Sequence, residues 1–157
     1  MRVRRVKVLF VCYGNICRSP MAEYVFRDLV ERERLSEAVS CASCGTSAEH
    51  LGQGPDPRTA ATLAERGISC ADKKARRLLS SDFSEYDYII AMDHWNLEYI
   101  RAMSPGDGFS EIALLMSFAG GGDVADPWYT GNFERTYRDV AAGCEGLLNH
   151  IKQKEAI

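Results

Sequence analysis

Apolar and polar positions alternate along the chain in a way that predicts strands and helices taking turns. Four apolar runs are typical of buried strands: residues 6–11, 38–43, 86–92 and 112–116. Four other segments place apolar residues at helical spacing: residues 20–34, 57–66, 94–104 and 133–151. Strands that alternate with helices predict a parallel sheet with right-handed crossovers, and ligands bind such sheets beyond the carboxyl ends of the strands.

Residues at the predicted helix ends support this assignment. Asp56 and Asp93 can accept hydrogen bonds from the first turns of two helices, and Ser19, followed by Pro20, can do so for the first helix. Gly67 suits the left-handed position that ends a helix. The basic run at residues 73–77 is expected on a solvated surface.

One loop, between the first strand and the first helix, combines the residue types that anion chemistry needs. Residues 11–20 read Val-Cys-Tyr-Gly-Asn-Ile-Cys-Arg-Ser-Pro, and a helix N-terminus behind a glycine-bearing loop binds anions through its amides. The amide dipoles and the Arg18 guanidinium would favour the thiolate form of Cys12, which is the nucleophilic form. The planar fork of Arg18 matches two phosphoryl oxygens. Gly14 permits a positive φ and Asn15 tolerates one, so the loop can turn tightly.

Length, charge and composition exclude several classes of protein. The 157 residues predict one domain, spanning 1–157, and the net charge of -3 argues against general nucleic-acid binding. No apolar run approaches the roughly 18 residues of a membrane span. The apolar stretch behind the basic N-terminus is too short for a signal-peptide core. We therefore expect a cytoplasmic protein with no nucleic-acid or membrane partner.

The six cysteines do not indicate a disulfide framework or a metal site. Cys41-x-x-Cys44 resembles half of a zinc site or a redox pair, but no second pair follows at the spacing that zinc requires. Residues three apart on a strand also point to opposite faces. Core packing is the favoured interpretation, and no metal or cofactor is expected.

The loop is similar to the phosphate-binding loop of the low-molecular-weight protein tyrosine phosphatases, whose pattern is V-C-x-G-N-I-C-R-S-P. The resemblance continues through four motifs: Ser-Cys-Gly-Thr at 43–46, Asp-Pro-Arg at 56–58, Met-Asp-x-x-Asn at 92–96 and Asp-Pro-Trp-Tyr at 126–129. It covers roughly residues 6–152. It implies an α/β fold, in which one three-layer domain has a four-stranded parallel sheet, order 2-1-3-4, flanked by helices. The phosphate-binding loop then lies between strand 1 and helix 1.

The same resemblance implies a metal-independent protein tyrosine phosphatase that hydrolyses phosphotyrosine monoesters through a phosphocysteine intermediate. Cys12 would be the nucleophile, Arg18 would clamp the phosphoryl group, and Asp126 would be the general acid and later the base. The loop residues assigned to phosphate binding are Tyr13, Gly14, Asn15, Ile16, Cys17, Arg18 and Ser19. Expected ligands are phosphotyrosine-containing proteins or small aryl phosphates, with phosphate, vanadate or sulfate at the same site. Taken alone, Asp-Pro is common turn chemistry, so a turn cap is the other interpretation of Asp126.

The resemblance also implies that three residues support the loop: Ser19, Asn15 and Ser43. By analogy with the family, Ser19 would donate a hydrogen bond to the Cys12 sulfur, and Asn15 would hold the loop backbone partly through Ser43. Relatives carry a histidine in an H-x-A-R segment of that network. This chain reads Lys-Lys-Ala-Arg at residues 73–76 instead, so the outer support is expected to differ.

The substrate pocket and a redox role are implied more loosely. Tyr13, Glu49, Trp128 and Tyr129 would line the pocket, where an aromatic slot favours a phosphotyrosine ring. Glu49 would disfavour acidic residues that flank the phosphate. Cys17 would form a reversible disulfide with an oxidised Cys12, or would simply pack behind the loop.

Three other functions fit parts of the pattern. An arsenate reductase would need two further thiols, and Cys70 has no partner at suitable spacing. A phosphoarginine phosphatase of the same family would carry threonine where Ile16 stands. A non-catalytic phospho-ligand module would be expected to lack Cys12, Arg18 or Asp126, and all three are present.

Overall fold

A central sheet of four parallel strands organises the protein. The computed structural model describes residues 5–157, and its strands are β1 (Val6–Cys12), β2 (Val39–Gly45), β3 (Tyr88–Ala91) and β4 (Glu111–Leu114). They pair in the order β2-β1-β3-β4, and every pairing is parallel. The predicted fold class and strand order are therefore confirmed.

Helices connect the strands and cover both faces of the sheet. Within the described range they are α1 (Arg18–Arg32), α2 (Pro57–Ala64), α3 (Asp82–Glu85), α4 (His94–Met103), α5 (Pro127–Thr130) and α6 (Phe133–Glu155). The sequence did not predict α3 or α5, because four residues are too few to show a helical period. The strand expected at 112–116 ends at Leu114, and a 3-10 turn (Leu115–Phe118) continues its apolar run.

Alternate residues of β1 face the two helical layers. Val8 and Phe10 belong to a core shared with α1 and α6, whereas Leu9 and Val11 pack in a second core with Ile100 of α4. Each of these five side chains is fully buried. Because β1 is apolar on both faces, it is held between two layers, and this fixes the position of its carboxyl end, where the loop begins.

Two of the three predicted helix caps are confirmed. Asp56 accepts the amide hydrogen of Arg58 at 2.8 Å, which caps α2. Asp93 and Asn96 form a reciprocal capping box at the start of α4, with bonds of 2.8 and 3.2 Å. Gly67 takes the predicted left-handed conformation, with φ of 73°.

The predicted cap at Ser19 is wrong. Helix α1 begins at Arg18, its N-cap position is Cys17, and no side chain caps it. Ser19 is the second residue of the helix, and its hydroxyl lies against the Cys12 sulfur instead. The first amides of α1 are consequently left for another acceptor, as an anion site requires.

Two glycines allow α6 to pack closely on the turn after β4. A Cβ atom at Gly143 would stand 2.5 Å from Leu115 Cγ, and one at Gly146 would overlap the carbonyl oxygen of Phe118. A side chain at either position would therefore prevent this close packing.

The cysteines form no disulfide within the described residues. All six cysteines are free thiols. Cys41 packs with the core on the α1 side, whereas Cys44 is buried in the core on the α4 side, so the two belong to opposite faces of β2. Residues 5–157 contain no group of three or more histidine, cysteine, aspartate or glutamate side chains that could hold a metal. Among their helices, none has the length and apolar composition needed to cross a bilayer.

Candidate active site

A pocket of about 220 Å³ opens at the carboxyl end of β1. Its walls come from the loop between β1 and α1, the loop after β2, and the segment that starts α5. The lining residues are Cys12, Tyr13, Gly14, Ile16, Cys17, Arg18, Glu49, His50, Asp126, Trp128 and Tyr129. The structure thus brings together the predicted nucleophile, clamp, acid and pocket residues, which lie up to 117 positions apart in the sequence.

The Cys12 sulfur lies in a short hydrogen-bonded contact. Ser19 Oγ is 2.9 Å from Cys12 Sγ, and Asn15 Nδ2 donates to that same hydroxyl oxygen at 2.8 Å. Because Asn15 supplies a proton to the Ser19 oxygen, the proton of Ser19 itself can be donated to the sulfur or to the Cys44 carbonyl oxygen, 3.2 Å away. This arrangement can stabilise a negative charge on the sulfur.

The Arg18 guanidinium is buried and held by acceptors around it. Its Nη1 donates to Asp93 Oδ2 at 2.7 Å and to the Val124 carbonyl oxygen at 2.9 Å, and its Nη2 lies 3.4 Å from Asp126 Oδ2. Burial acts to lower the pKa of Arg18, but Cys12, Asp126 and Asp93 together raise it above its ordinary value. Arg18 is therefore a cation that already points into the pocket. Sequence reasoning identified Asp93 only as a helix cap and missed this second contact.

Asp126 is both a helix cap and a pocket residue. One carboxylate oxygen accepts the amide hydrogen of Trp128 at 3.0 Å and caps α5, while the other faces Arg18. Its side chain is 27% exposed, so it is open to the pocket. The turn interpretation and the catalytic interpretation of Asp126 therefore describe different oxygens of one side chain.

Asn15, and not Gly14, supplies the positive φ of the loop. Asn15 has φ of 58°, and Gly14 is absent from the positive-φ residues of the described chain. Asn15 is held by donating to Ser43 Oγ at 2.9 Å and by accepting the amide hydrogen of Arg76 at 3.0 Å. Gly14 leaves room for His50 instead, since a Cβ there would stand 2.8 Å from His50 Cδ2 and the imidazole would have to move.

The prediction that the basic run at residues 73–77 is solvated holds for the exposed Lys74 and Arg77 but is wrong for Lys73. The Lys73 side chain is only 9% exposed, its ammonium lies 3.2 Å from Glu23 Oε1, and it donates to the Ser43 carbonyl oxygen at 2.8 Å. Arg76 binds both oxygens of Asp82, at 3.0 and 3.1 Å. No feature of the charge pattern marks these acidic residues as partners of the basic run.

Three exposed aromatic side chains line the mouth of the pocket. Tyr13, Trp128 and Tyr129 are 49%, 55% and 85% exposed, and the exposed Glu49 lies on the same rim. Sequence reasoning missed His50, whose ring centroid is 6.3 Å from that of Trp128. A histidine in a long loop has no local pattern that would mark it as a pocket residue.

The other cysteine of the loop is a buried thiol. Burial, followed by the nearby charges of Asp56 and Cys12, raises the pKa of Cys17 to about 12. Cys17 is therefore protonated at neutral pH, and no structural observation tests its predicted disulfide with Cys12. Cys70 lines a separate groove, so the pocket offers no third thiol for a redox relay.

Comparison with known proteins identifies close relatives over nearly the whole chain. Residues 7–156 match the family described as low molecular weight phosphotyrosine protein phosphatase. The low molecular weight protein-tyrosine-phosphatase YfkJ of Bacillus subtilis is 40% identical over 155 residues, covering 97% of this chain and 99% of that protein. Its crystal structure superposes with a TM-score of 0.93 and covers 98% of this chain and 99% of that one. The crystal structure of an arginine phosphatase from Drosophila is 32% identical, has a TM-score of 0.88 and covers 94% of this chain and 98% of that one.

Proposed function

The chain belongs to the low molecular weight phosphotyrosine protein phosphatases, and from this premise we propose that Cys12, Arg18 and Asp126 hydrolyse phosphotyrosine monoesters. The observation that carries the assignment is the meeting of these side chains in one pocket. The guanidinium of Arg18 lies 3.4 Å from Asp126, and Cys12 and Asp126 both act to raise its pKa. A nucleophile, an anion clamp and a proton donor thus face the same small volume.

In the first half of the reaction, the Cys12 thiolate attacks the phosphorus atom. An S–P bond forms, the P–O bond to the tyrosine ring breaks, and Asp126 gives its proton to the departing phenoxide oxygen. The equatorial oxygens are held by Arg18 and by the amides at the uncapped start of α1. Because Asp93 and the Val124 carbonyl already hold Arg18, the clamp needs little reorganisation.

In the second half, water attacks the phosphocysteine. The Asp126 carboxylate, now without its proton, takes one from the water as the S–P bond breaks. Inorganic phosphate leaves, and Cys12 returns as a thiolate that Ser19 can stabilise from 2.9 Å. Phosphate, vanadate and sulfate are accordingly proposed as ligands of the same loop.

The rim of the pocket supports an aromatic substrate. The exposed rings of Tyr13, Trp128 and Tyr129 can contact the phenyl ring of phosphotyrosine, whose phosphate stands far enough from the peptide backbone to reach Cys12. Glu49 adds a negative charge at the mouth, so peptides with acidic residues next to the phosphotyrosine should bind less well. The buried apolar Ile16 also lines this pocket and favours a phenyl ester over a guanidinium.

A substrate panel tests this proposed function. Steady-state assays should give a kcat/KM for phosphotyrosine peptides about 100-fold or more above that for phosphoserine or phosphoarginine peptides, since only the ring fills the aromatic rim. Higher turnover of phosphoarginine would instead place the chain with the arginine phosphatases. Phosphate binding without any turnover would indicate a phospho-ligand binding module, and thiol-dependent arsenate turnover would indicate a reductase.

Gly45→Ala is expected to reduce kcat by about 100-fold, because it moves the phosphate-binding loop. A Cβ at Gly45 would stand 2.6 Å from the Tyr13 carbonyl oxygen and 3.1 Å from the Asn15 amide nitrogen. Both atoms belong to the backbone, so the loop itself must shift. A displacement of about 1 Å can lower kcat by this factor. The matched control is Gly54→Ala, whose Cβ would meet nothing closer than 3.9 Å. Equal kcat values for the two variants with p-nitrophenyl phosphate would contradict the prediction.

A further inference from the structure

A largely buried ion pair supports the phosphate-binding loop from behind Ser43. Lys73 Nζ lies 3.2 Å from Glu23 Oε1, and the two side chains are only 9% and 5% exposed. Lys73 also donates to the Ser43 carbonyl oxygen at 2.8 Å. The other oxygen of Glu23 accepts from Arg27, whose side chain is 43% exposed. Lys73 therefore pairs with Glu23 Oε1, which is also the oxygen that contacts Ser43.

We propose that Lys73 is a positioning residue for catalysis, because it fixes the direction of a hydrogen-bonded chain that runs from Glu23 to Cys12. The inference rests on the proposed function, since it concerns the sulfur that attacks phosphate. It gives a role to a basic residue that stands where the family resemblance has a histidine.

The chain begins at the carboxylate. Ser43 Oγ donates to Glu23 Oε1 at 2.6 Å, a length typical of a hydroxyl bonded to an ionised oxygen. A carboxylate can only accept, so the proton of Ser43 is committed to Glu23. The remaining lone pairs of Ser43 Oγ must then accept, and Asn15 Nδ2 donates to them at 2.9 Å.

The chain ends at the sulfur. Asn15 Nδ2 has a second hydrogen, which goes to Ser19 Oγ at 2.8 Å, and its Oδ1 accepts from the Arg76 amide. Ser19 Oγ thereby accepts a proton and keeps its own to donate, and its acceptors are the Cys12 sulfur, 2.9 Å away, and the Cys44 carbonyl oxygen, 3.2 Å away. From Glu23 to Ser19 each bond has one available direction, so the charge at the start determines that the Ser19 hydroxyl next to the sulfur is free to donate.

Removing the Lys73 ammonium should disturb this direction. Without the Lys73 ammonium, the charge of the buried Glu23 carboxylate is energetically costly. Taking up a proton relieves this cost. A protonated Glu23 can donate to Ser43, whose own proton then points toward the amide of Asn15. That amide nitrogen cannot accept, so the loop support and the donor at the sulfur are both weakened.

Lys73→Met tests the proposal, because methionine keeps much of the length of the side chain and removes its charge. We expect kcat with p-nitrophenyl phosphate to fall about tenfold or more, the effect of losing one hydrogen bond to a charged group. The pH profile of Cys12 alkylation by iodoacetamide should move to higher pH, because the thiolate loses its donor. The matched control is Lys74→Met, which removes an exposed neighbouring lysine and should leave both measurements unchanged.

A double variant separates positioning from simple structural support. Glu23→Gln with Lys73→Met leaves no buried charge unpaired, because Arg27, which loses its carboxylate partner, is 43% exposed. The double variant is therefore expected to fold even if Lys73→Met does not. A glutamine at position 23 can donate as well as accept, so the direction is no longer fixed and kcat and the alkylation profile should stay impaired. Parent values in a folded Lys73→Met protein, or their recovery in the double variant, would overturn the proposal. An inactive parent protein would instead overturn the proposed function.

Discussion

Cys12→Ser is expected to abolish phosphatase turnover, lowering kcat at least about 10⁴-fold with every phosphate ester tested. A serine hydroxyl at this position would have to attack phosphorus without being ionised, and the loop contains no base positioned to remove its proton. The neighbouring Ser19 hydroxyl can hydrogen-bond an oxygen as well as a sulfur. The loss should therefore come from the chemistry and not from the fold. Burst and steady-state kinetics with p-nitrophenyl phosphate would measure it.

Two controls make this result specific to the nucleophile. The melting temperature of Cys12→Ser should stay within about 4 °C of the parent, since a hydroxyl of similar shape keeps a hydrogen-bond partner. Cys17→Ser, at the other thiol of the loop, should retain measurable turnover, because the pKa of about 12 keeps Cys17 protonated and non-nucleophilic at neutral pH. Residual turnover above about one per cent of the parent rate in purified Cys12→Ser would show that another group attacks phosphorus.

The local part of the site was predictable from sequence. A strand end, a tight loop and a helix start are encoded in residues 11–20, so the position of Cys12 and Arg18 follows from short-range rules. The strand order came from the family resemblance, and the sheet confirms it. That residues 1–157 form a single domain stays a prediction.

The wrong cap assignment at Ser19 has a physical cause. Sequence rules assigned Ser19 to the helix cap, because serine often caps helices, and allowed the positive φ at Gly14 or at Asn15. In the structure, the Ser19 hydroxyl bonds to Cys12 and Asn15, and Asn15 takes the positive φ. Binding an anion requires open amides at the helix start, so the usual preferences are overridden at the functional loop.

The outer support could not be predicted because its partners are remote. Lys73 meets Glu23 across 50 positions of sequence, and the pairing depends on how α1 and β2 lie together. A run of basic residues carries no information about such a neighbour. The same limit applies to His50, which reaches the pocket only because the loop after β2 folds over Gly14.

Asp126→Asn is expected to lower kcat by about 10²–10⁴-fold for substrates with poor leaving groups, which is the usual contribution of a positioned general acid. Asparagine keeps a side-chain oxygen that can accept the Trp128 amide hydrogen, so the cap of α5 is preserved. Its amide hydrogens are not acidic, so it cannot transfer a proton to a departing phenoxide. Phenyl phosphate and phosphotyrosine should therefore lose more activity than p-nitrophenyl phosphate, whose leaving group needs protonation least.

The comparison of Asp126→Asn with Asp126→Ala separates the two oxygens of this carboxylate. Alanine removes the proton donor and the cap, so it should show the same leaving-group dependence together with a lower melting temperature, since a helix cap contributes about 1 kcal/mol to the free energy of unfolding. KM should not rise in either variant, because Arg18 loses a competing acceptor at 3.4 Å and keeps its bonds to Asp93 and Val124. A uniform loss of kcat across leaving groups in Asp126→Asn would mean that Asp126 only shapes the loop. The proton of the leaving group would then have to come from elsewhere in the pocket.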